Sequence, residues 1–499
     1  MLAEWDVAGK RPSMRRAIAL LLIPALALAA PGCKPQRQGA LKVVVIGGQP
    51  KLRDPELGPL SPPDAVLLEN VAQGLVSFDG NGNIVGGLAE RWNVSDDGLS
   101  YIFRLASAQW PDGRKITADQ VAKILKRQIA ARSRNDLKDS IGAIEDIVAM
   151  TDRVIEIQLI APRPSLLSIL AQPEFAILRG NAGTGPFRAV PIGGPQGELR
   201  LTRDVALSDE EEARHEEVLL SGEGAQEAID DFAASKSDLV LGGTFLDLPL
   251  ARRARLPGAA LRFDPASGLF GLIPVHTGGP LDKPEVRQLL AQALDRTNFV
   301  SALGVPGLAG RATLLEPGLD GIPAPVVPAW FGTPIGDRLP LLRAQADRLF
   351  GKAKPMITVA LPDGPGANLL LQELKRDWSA LGVSVEQAPL TIADFSLVDE
   401  LAPSSSPAWF VRRFRCGLVA VCDLQADQLM DAARTMPIAA QRYALLTEAA
   451  ARIDDAQLFI PITAPVRWSL VSGRVQNFAG NRYARHTLTD LENKGGGSD

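Results

Sequence analysis

Residues 280–296, Pro-Leu-Asp-Lys-Pro-Glu-Val-Arg-Gln-Leu-Leu-Ala-Gln-Ala-Leu-Asp-Arg, constrain the fold more than any other stretch. Their chemistry predicts an N-capped amphipathic helix: Asp282 caps it, Pro284 is tolerated in the first turn, and Glu285 stands at capping-box spacing. Val286, Leu289, Leu290, Ala293 and Leu294 recur at intervals of three and four, which turns one apolar face toward a core. Such a helix needs a layer to pack on, and the rest of the chain supplies strands. Leu41 to Ile46 reads as a buried strand that breaks at Gly47-Gly48, and Val154 to Leu159 alternates until Pro162 and Pro164 stop it. Residues 99–105, 198–202, 238–241 and 261–263 read as further strands, and residues 66–73 as a short helix. Thr117 caps a helix running to about Arg132, with Gln120 at capping-box spacing. Helix 366–381 ends at Gly382 before a strand at 383–386, and residues 437–455 form another helix.

Composition excludes several classes. With 46% hydrophobic and 22% charged residues among 499, the chain is ordinary globular material long enough for two cores. There is no Walker A string, no G-x-S-x-G, no H-E-x-x-H and no full dinucleotide fingerprint. Gly183-Thr-Gly-Pro-Phe begins like a phosphate cradle, but Pro186 removes an amide, so it reads as a turn. The histidines His215, His276 and His486 are not paired at ligand spacing, so no metal or other cofactor is expected. Binding without turnover is the better reading.

Arg15 and Arg16 precede an apolar run from Ala17 to Ala30, too short to span a bilayer and placed like a secretory signal. Residues 1–32 are therefore read as a signal peptide, with Met14 as an alternative start. Ala30-Pro31-Gly32-Cys33 approximates a bacterial lipobox, which makes Cys33 the expected lipid attachment point. Its first two positions depart from the pattern, and cleavage near Ala27-Leu28-Ala29 is the alternative. Removing residues 1–32 takes away four basic and two acidic residues and moves the formal net charge from −4 to −6. That balance argues against a nucleic-acid or anionic-membrane binder. The acidic run 209–212 reads as solvated. Cys416 and Cys422 remain after export; a disulfide and free thiols are both open, with a metal site disfavoured for want of nearby donors.

Five ordered segments carry a family resemblance. Gly74-Leu-Val-Ser-Phe-Asp79 leads to Gly87-Leu-Ala-Glu-Arg-Trp92, then to Ser95-Asp-Asp-Gly-Leu-Ser-Tyr-Ile-Phe-Arg-Leu105. Trp110-Pro-Asp-Gly113 runs on to Thr117-Ala-Asp-Gln-Val121, Gly183-Thr-Gly-Pro-Phe187 follows, and the opening segment 280–296 closes the series. Together they resemble the family 5 extracellular solute-binding proteins, the peptide/nickel-type receptors of ABC importers. The resemblance implies an α/β, two-lobed periplasmic-binding-protein type fold with an extra subdomain in lobe one and a ligand cleft between lobes that close by hinge motion. It places lobe one at 41–264 plus 461–490 with the outer subdomain at about 72–182, lobe two at 265–460, and a flexible tail at 491–499. Between Arg127 and Gly183 the chain is shorter than the family pattern.

The resemblance also implies a periplasmic receptor that captures a solute, by default a peptide, and delivers it to ABC permease subunits with a cytoplasmic ATPase. A monomer touching the membrane only through its lipid, with no nucleic acid, is expected. The alternatives are a receptor for a non-peptide anionic or chelated solute, and a degenerate sensor or structural lipoprotein. In peptide-binding members the ligand's amino terminus meets an aspartate in a W-x-x-D-Y-x-D-P-type segment. Here that string is missing: with Trp409 as the family tryptophan, Arg412 takes the aspartate's position. Read as a strand, residues 409–416 direct Trp409, Val411, Arg413 and Arg415 to the cleft and Phe410, Arg412, Phe414 and Cys416 inward. Trp409 then offers a stacking surface and the arginines meet anionic groups; solvated or carboxylate-paired arginines are the alternative. A second contact zone is expected near Leu57, Gly58 and Ser61, where backbone can pair with an extended ligand. Three tyrosines and 5% aromatic residues suggest a cleft sparsely ringed with aromatics.

Overall fold

The computed structural model describes residues 39–194, 197–205 and 213–493. The expected signal segment, Cys33, the acidic run 209–212 and residues 494–499 lie outside them. Three larger sheets, beside two of two strands each, organise what is described. The first has seven strands in the order Leu261–Phe263, Arg467–Val471, Leu239–Thr244, Leu41–Ile46, Arg214–Glu223, Glu198–Val205 and Arg188–Gly193. Leu41–Ile46 runs parallel to both its neighbours, which explains why it is apolar on both faces. The second has five strands, Ser384–Gln387, Met356–Ala360, Phe395–Leu401, Gly268–Pro274 and Ile460–Thr463. The third is antiparallel, Ala89–Val94, Ser100–Leu105, Val154–Leu159 and Ile144–Thr151, with a core of its own around Phe103 and Trp110.

Two short links join the large sheets. Residues 264–267 carry the chain from Phe263 to Gly268, and residues 464–466 carry it back from Thr463 to Arg467. They lie side by side, Asp264 N donating to Arg467 O at 3.1 Å. The return was expected at 461, yet Ile460–Thr463 still pairs with Gly268–Pro274, so the crossing comes after Thr463. At the other end Leu491 is buried and Glu492–Asn493 pairs with Val475–Gln476, past the point where the tail was expected to begin.

Several local expectations have a direct structural counterpart. Thr117 and Gln120 form a capping box at the start of Ala118–Ile129. Val286, Leu289, Leu290, Ala293 and Leu294 are all buried. Asp282 is a correction. The helix is Pro284–Ala293, its N-cap is Lys283 with no side-chain cap bond, and Asp282 instead accepts from Gly278 N at 2.7 Å. A 3-10 turn over Pro280–Asp282 holds the aspartate one residue too early for the box. Arg287 is 2% exposed and donates to the carbonyls of Leu281, Ala456 and Gln457. The Gly183–Phe187 turn packs on the end of helix Pro62–Val71, where Gly185 N donates to Val71 O at 2.9 Å. A Cβ at Gly183 or Gly185 would run into the backbone of Val71 and Ala72, so the turn needs glycine for close approach.

Candidate functional site

A cavity of about 120 Å³ lies between the antiparallel layer and the helices of the second lobe. One wall comes from the 3-10 turn Lys138–Ile141 and from residues 163–169. The other comes from the loop after Phe395–Leu401, helix Pro407–Arg412, the end of Leu424–Thr435 and the start of Ala439–Asp455. Two hydrogen bonds tie the two sides, the first between lining residues. Arg163 Nη2 donates to Arg434 O at 2.6 Å, and buried Gln172 Nε2 donates to Pro403 O at 3.0 Å. Gln172 is itself oriented by Arg485, whose Nε donates to its Oε1 at 3.2 Å.

The strand expected at 409–416 is instead the end of helix Pro407–Arg412 followed by a turn, and this is the main correction to the site. Pro407 opens it at the first position, and Phe410, Val411 and Phe414 are all nearly fully buried, a helical spacing rather than an alternating one. The face assignment changes with it. Trp409, Val411, Arg412 and Arg415 line the cavity, whereas Arg413 does not. Arg413 Nε lies 3.3 Å from Glu400, and Arg415 is engaged by Asp427 at 3.2 Å and Asp431 at 2.7 Å. Arg412, assigned inward as a strand residue, reaches the cavity because the helix turns it there. It forms no ion pair among the described residues, and its Nη1 is buried without a hydrogen-bond partner. Burial, together with neighbouring Arg415, pulls its guanidinium below the usual range, against the attraction of Asp139.

Leu57, Gly58 and Ser61 do not line this cavity. Leu57 is 64% exposed, Gly58 ends a 3-10 turn, and Ser61 caps helix Pro62–Val71 by accepting from Asp64 N at 3.3 Å. Cys416 and Cys422 are joined, with Cα atoms 5.3 Å apart, closing a loop beside Arg415. No cluster of metal-ligating side chains is present among the described residues. Sequence reasoning missed the two carboxylates on the cavity wall, Asp139 and Asp320, and the arginines Arg163 and Arg442. They come from segments far apart in the chain and share no motif, so no local signal marked them.

A second cavity, of about 350 Å³, lies within the first lobe and is lined by Glu69, Gln172 and Arg485 among others. Burial pushes the Glu69 carboxyl up to about 7, against the pull of Arg485 and His486, and its Oε1 has no hydrogen-bond partner.

Comparison with known proteins places this geometry. A probable di/tripeptide-binding protein of Pseudomonas aeruginosa is 25% identical over 479 residues, spanning 83% of this chain and 88% of that one. The murein tripeptide binding protein MppA of Escherichia coli superposes with a TM-score of 0.76 at 16% identity, covering 91% of this chain and 99% of its own. OppA of Haemophilus influenzae, solved in complex with the peptide RPPGFSPFR, gives 0.75 at 15% identity over 92% and 100%. At that identity the two structures establish the shared two-lobed fold. The model of the bacterial extracellular solute-binding proteins, family 5, matches residues 83–400, well over half of the chain. The chain is therefore a member of the family 5 bacterial extracellular solute-binding proteins.

Proposed function

We propose that this chain is a peptide receptor that closes two lobes over its ligand and delivers it to an ABC permease with a cytoplasmic ATPase. One observation carries the reading: the cavity draws its walls from both sides of the molecule, and among the described residues the chain passes between the lobes carrying them at two places, 264–267 and 464–466. That is the architecture a hinge-closing receptor requires. The peptide assignment is supported by the named ligands of the Pseudomonas, Escherichia and Haemophilus relatives. In this reading the first lobe is 41–264 with the segment after the return crossing, the second lobe is 265 to the crossing, and Trp409, Arg412 and Arg415 belong to the ligand site. The protein is exported by residues 1–32, is held to the membrane by lipid at Cys33, acts as a monomer, and turns nothing over.

The test is native mass spectrometry of the protein purified from the periplasm of its own expressing cells, paired with small-angle scattering before and after peptide addition. Co-eluting short peptides and a smaller radius of gyration on binding support the proposal. A single non-peptide mass, or no compaction with any peptide pool, overturns it.

A further inference from the structure

The cavity is lined by five arginines against two aspartates, and the arginines are not equally occupied. Arg415 is spent on Asp427 and Asp431, and Arg434 is exposed. The other three form no ion pair among the described residues. Arg163 donates only to the carbonyls of Pro162 and Arg434, at 2.9 and 2.6 Å. Arg442 is 4% exposed, donates to Met436 O at 3.3 Å, and lies over the Tyr443 ring at 5.2 Å. Arg412 makes no side-chain hydrogen bond among the described residues, and its Nη1 is buried.

A carbonyl satisfies a donor but leaves its charge uncancelled, and uncancelled charge in an enclosed space is costly. Arg163 comes from the outer layer; Arg412 and Arg442 come from the second lobe. Closing the lobes therefore brings like charges together. The cost registers on Arg163, which burial and the neighbouring Arg442 and Arg434 depress to about 10. Asp139 attracts Arg412, and Asp320 is the other carboxylate of the lining, so two carboxylates offset only part of the excess of five arginines. An anionic group between the walls converts the repulsion into two charge-assisted contacts, one to each lobe.

We infer that this cavity selects peptides bearing an acidic side chain, with Arg412 and Arg163 as the residues that set the preference. The inference rests on the reading that the cavity is the ligand site, and it adds the charge class of the ligand. Trp409 and Tyr443 supply the apolar walls beside the guanidinia.

The test is calorimetric titration of the full-length purified protein with three tripeptides, Ala-Ala-Ala, Ala-Glu-Ala and Ala-Lys-Ala. The glutamyl peptide should bind at least about ten-fold tighter than tri-alanine, with the lysyl peptide weakest and the advantage shrinking in high salt. Arg412→Gln and Arg163→Gln should each lower the ratio of glutamyl-peptide to tri-alanine affinity about ten-fold, while Arg412→Lys keeps part of the preference. Equal affinity for all three peptides in the unmodified protein overturns the inference even if a variant fails to fold. So does a preference that survives in both glutamine variants. If no peptide binds, the peptide reading itself falls. Titration with succinate then decides the charge class alone: binding that Arg412→Gln abolishes keeps the anionic cavity, and no binding removes it.

Discussion

Arg467 Nη1 lies 2.9 Å from Asp399 Oδ1, which ties the strand that re-enters the seven-stranded sheet to a strand of the five-stranded one. Both side chains are largely buried, at 14% and 16% exposed. The pair stands beside the crossings, where Ala402 N also donates to Ser267 O at 2.9 Å.

Removing one member of a buried pair strands the other. Asp399→Ala should cost about 3–5 kcal/mol of unfolding free energy, measured by urea denaturation, and Asp399→Asn less because it keeps an acceptor for Arg467. An alanine variant as stable as the parent would show that the pair contributes nothing at the crossing.

Burial lifts the carboxyl of Asp454 to about 7, as it does that of Glu69. Unfolded carboxyls titrate near pH 4. Between about pH 4 and about pH 7 the folded chain retains protons that the unfolded chain releases, so each group makes stability fall as pH rises, by on the order of a few kcal/mol. Asp454→Asn keeps an oxygen to accept from Leu314 N, bonded at 2.8 Å to Asp454, and should flatten part of that slope. Chemical denaturation of parent and variant across the window is the check; identical slopes would refute it.

The Cys416–Cys422 disulfide closes a loop with a sequence separation of 6. On loop-closure entropy, replacing both cysteines with serine should cost about 2 kcal/mol. Hydrogen exchange should rise first at residues 416–422, beside the cavity wall. A variant with unaltered melting temperature and exchange would limit the bond to a bystander.

Gly185→Ala places a methyl against the backbone of Val71 and Ala72, which cannot yield as a flexible side chain does. A loss of about 1–3 kcal/mol or more is expected in thermal unfolding, and a neutral result would mean that the helix end moves freely.

How much of this was legible in the sequence follows from how local each signal is. The capping box at Thr117, the strands Leu41–Ile46 and Val154–Leu159, and the buried face of Pro284–Ala293 are written in adjacent residues, and the structure has them. The strand expected at 409–416 is not formed because Trp-Phe-Val-Arg-Arg-Phe-Arg satisfies both periods over so short a span, and only the tertiary burial of Phe410, Val411 and Phe414 decides between them. Arg287 illustrates the opposite limit. A charged residue at that position reads as solvent-facing, and its actual role depends on carbonyls at 456 and 457. Arg412 was singled out in the sequence, but Arg163 and Arg442 were not, and which arginines lack a carboxylate partner is a property of the folded neighbourhood.

The order of strands in the seven-stranded sheet also bears on how such a chain is made. Arg467–Val471 lies between Leu239–Thr244 and Leu261–Phe263, two strands separated from it by the whole second lobe. A chain emerging amino end first must leave that slot vacant until its final stretch appears. During synthesis the sheet of the first lobe stays unfinished, and it locks only once Arg467–Val471 has arrived.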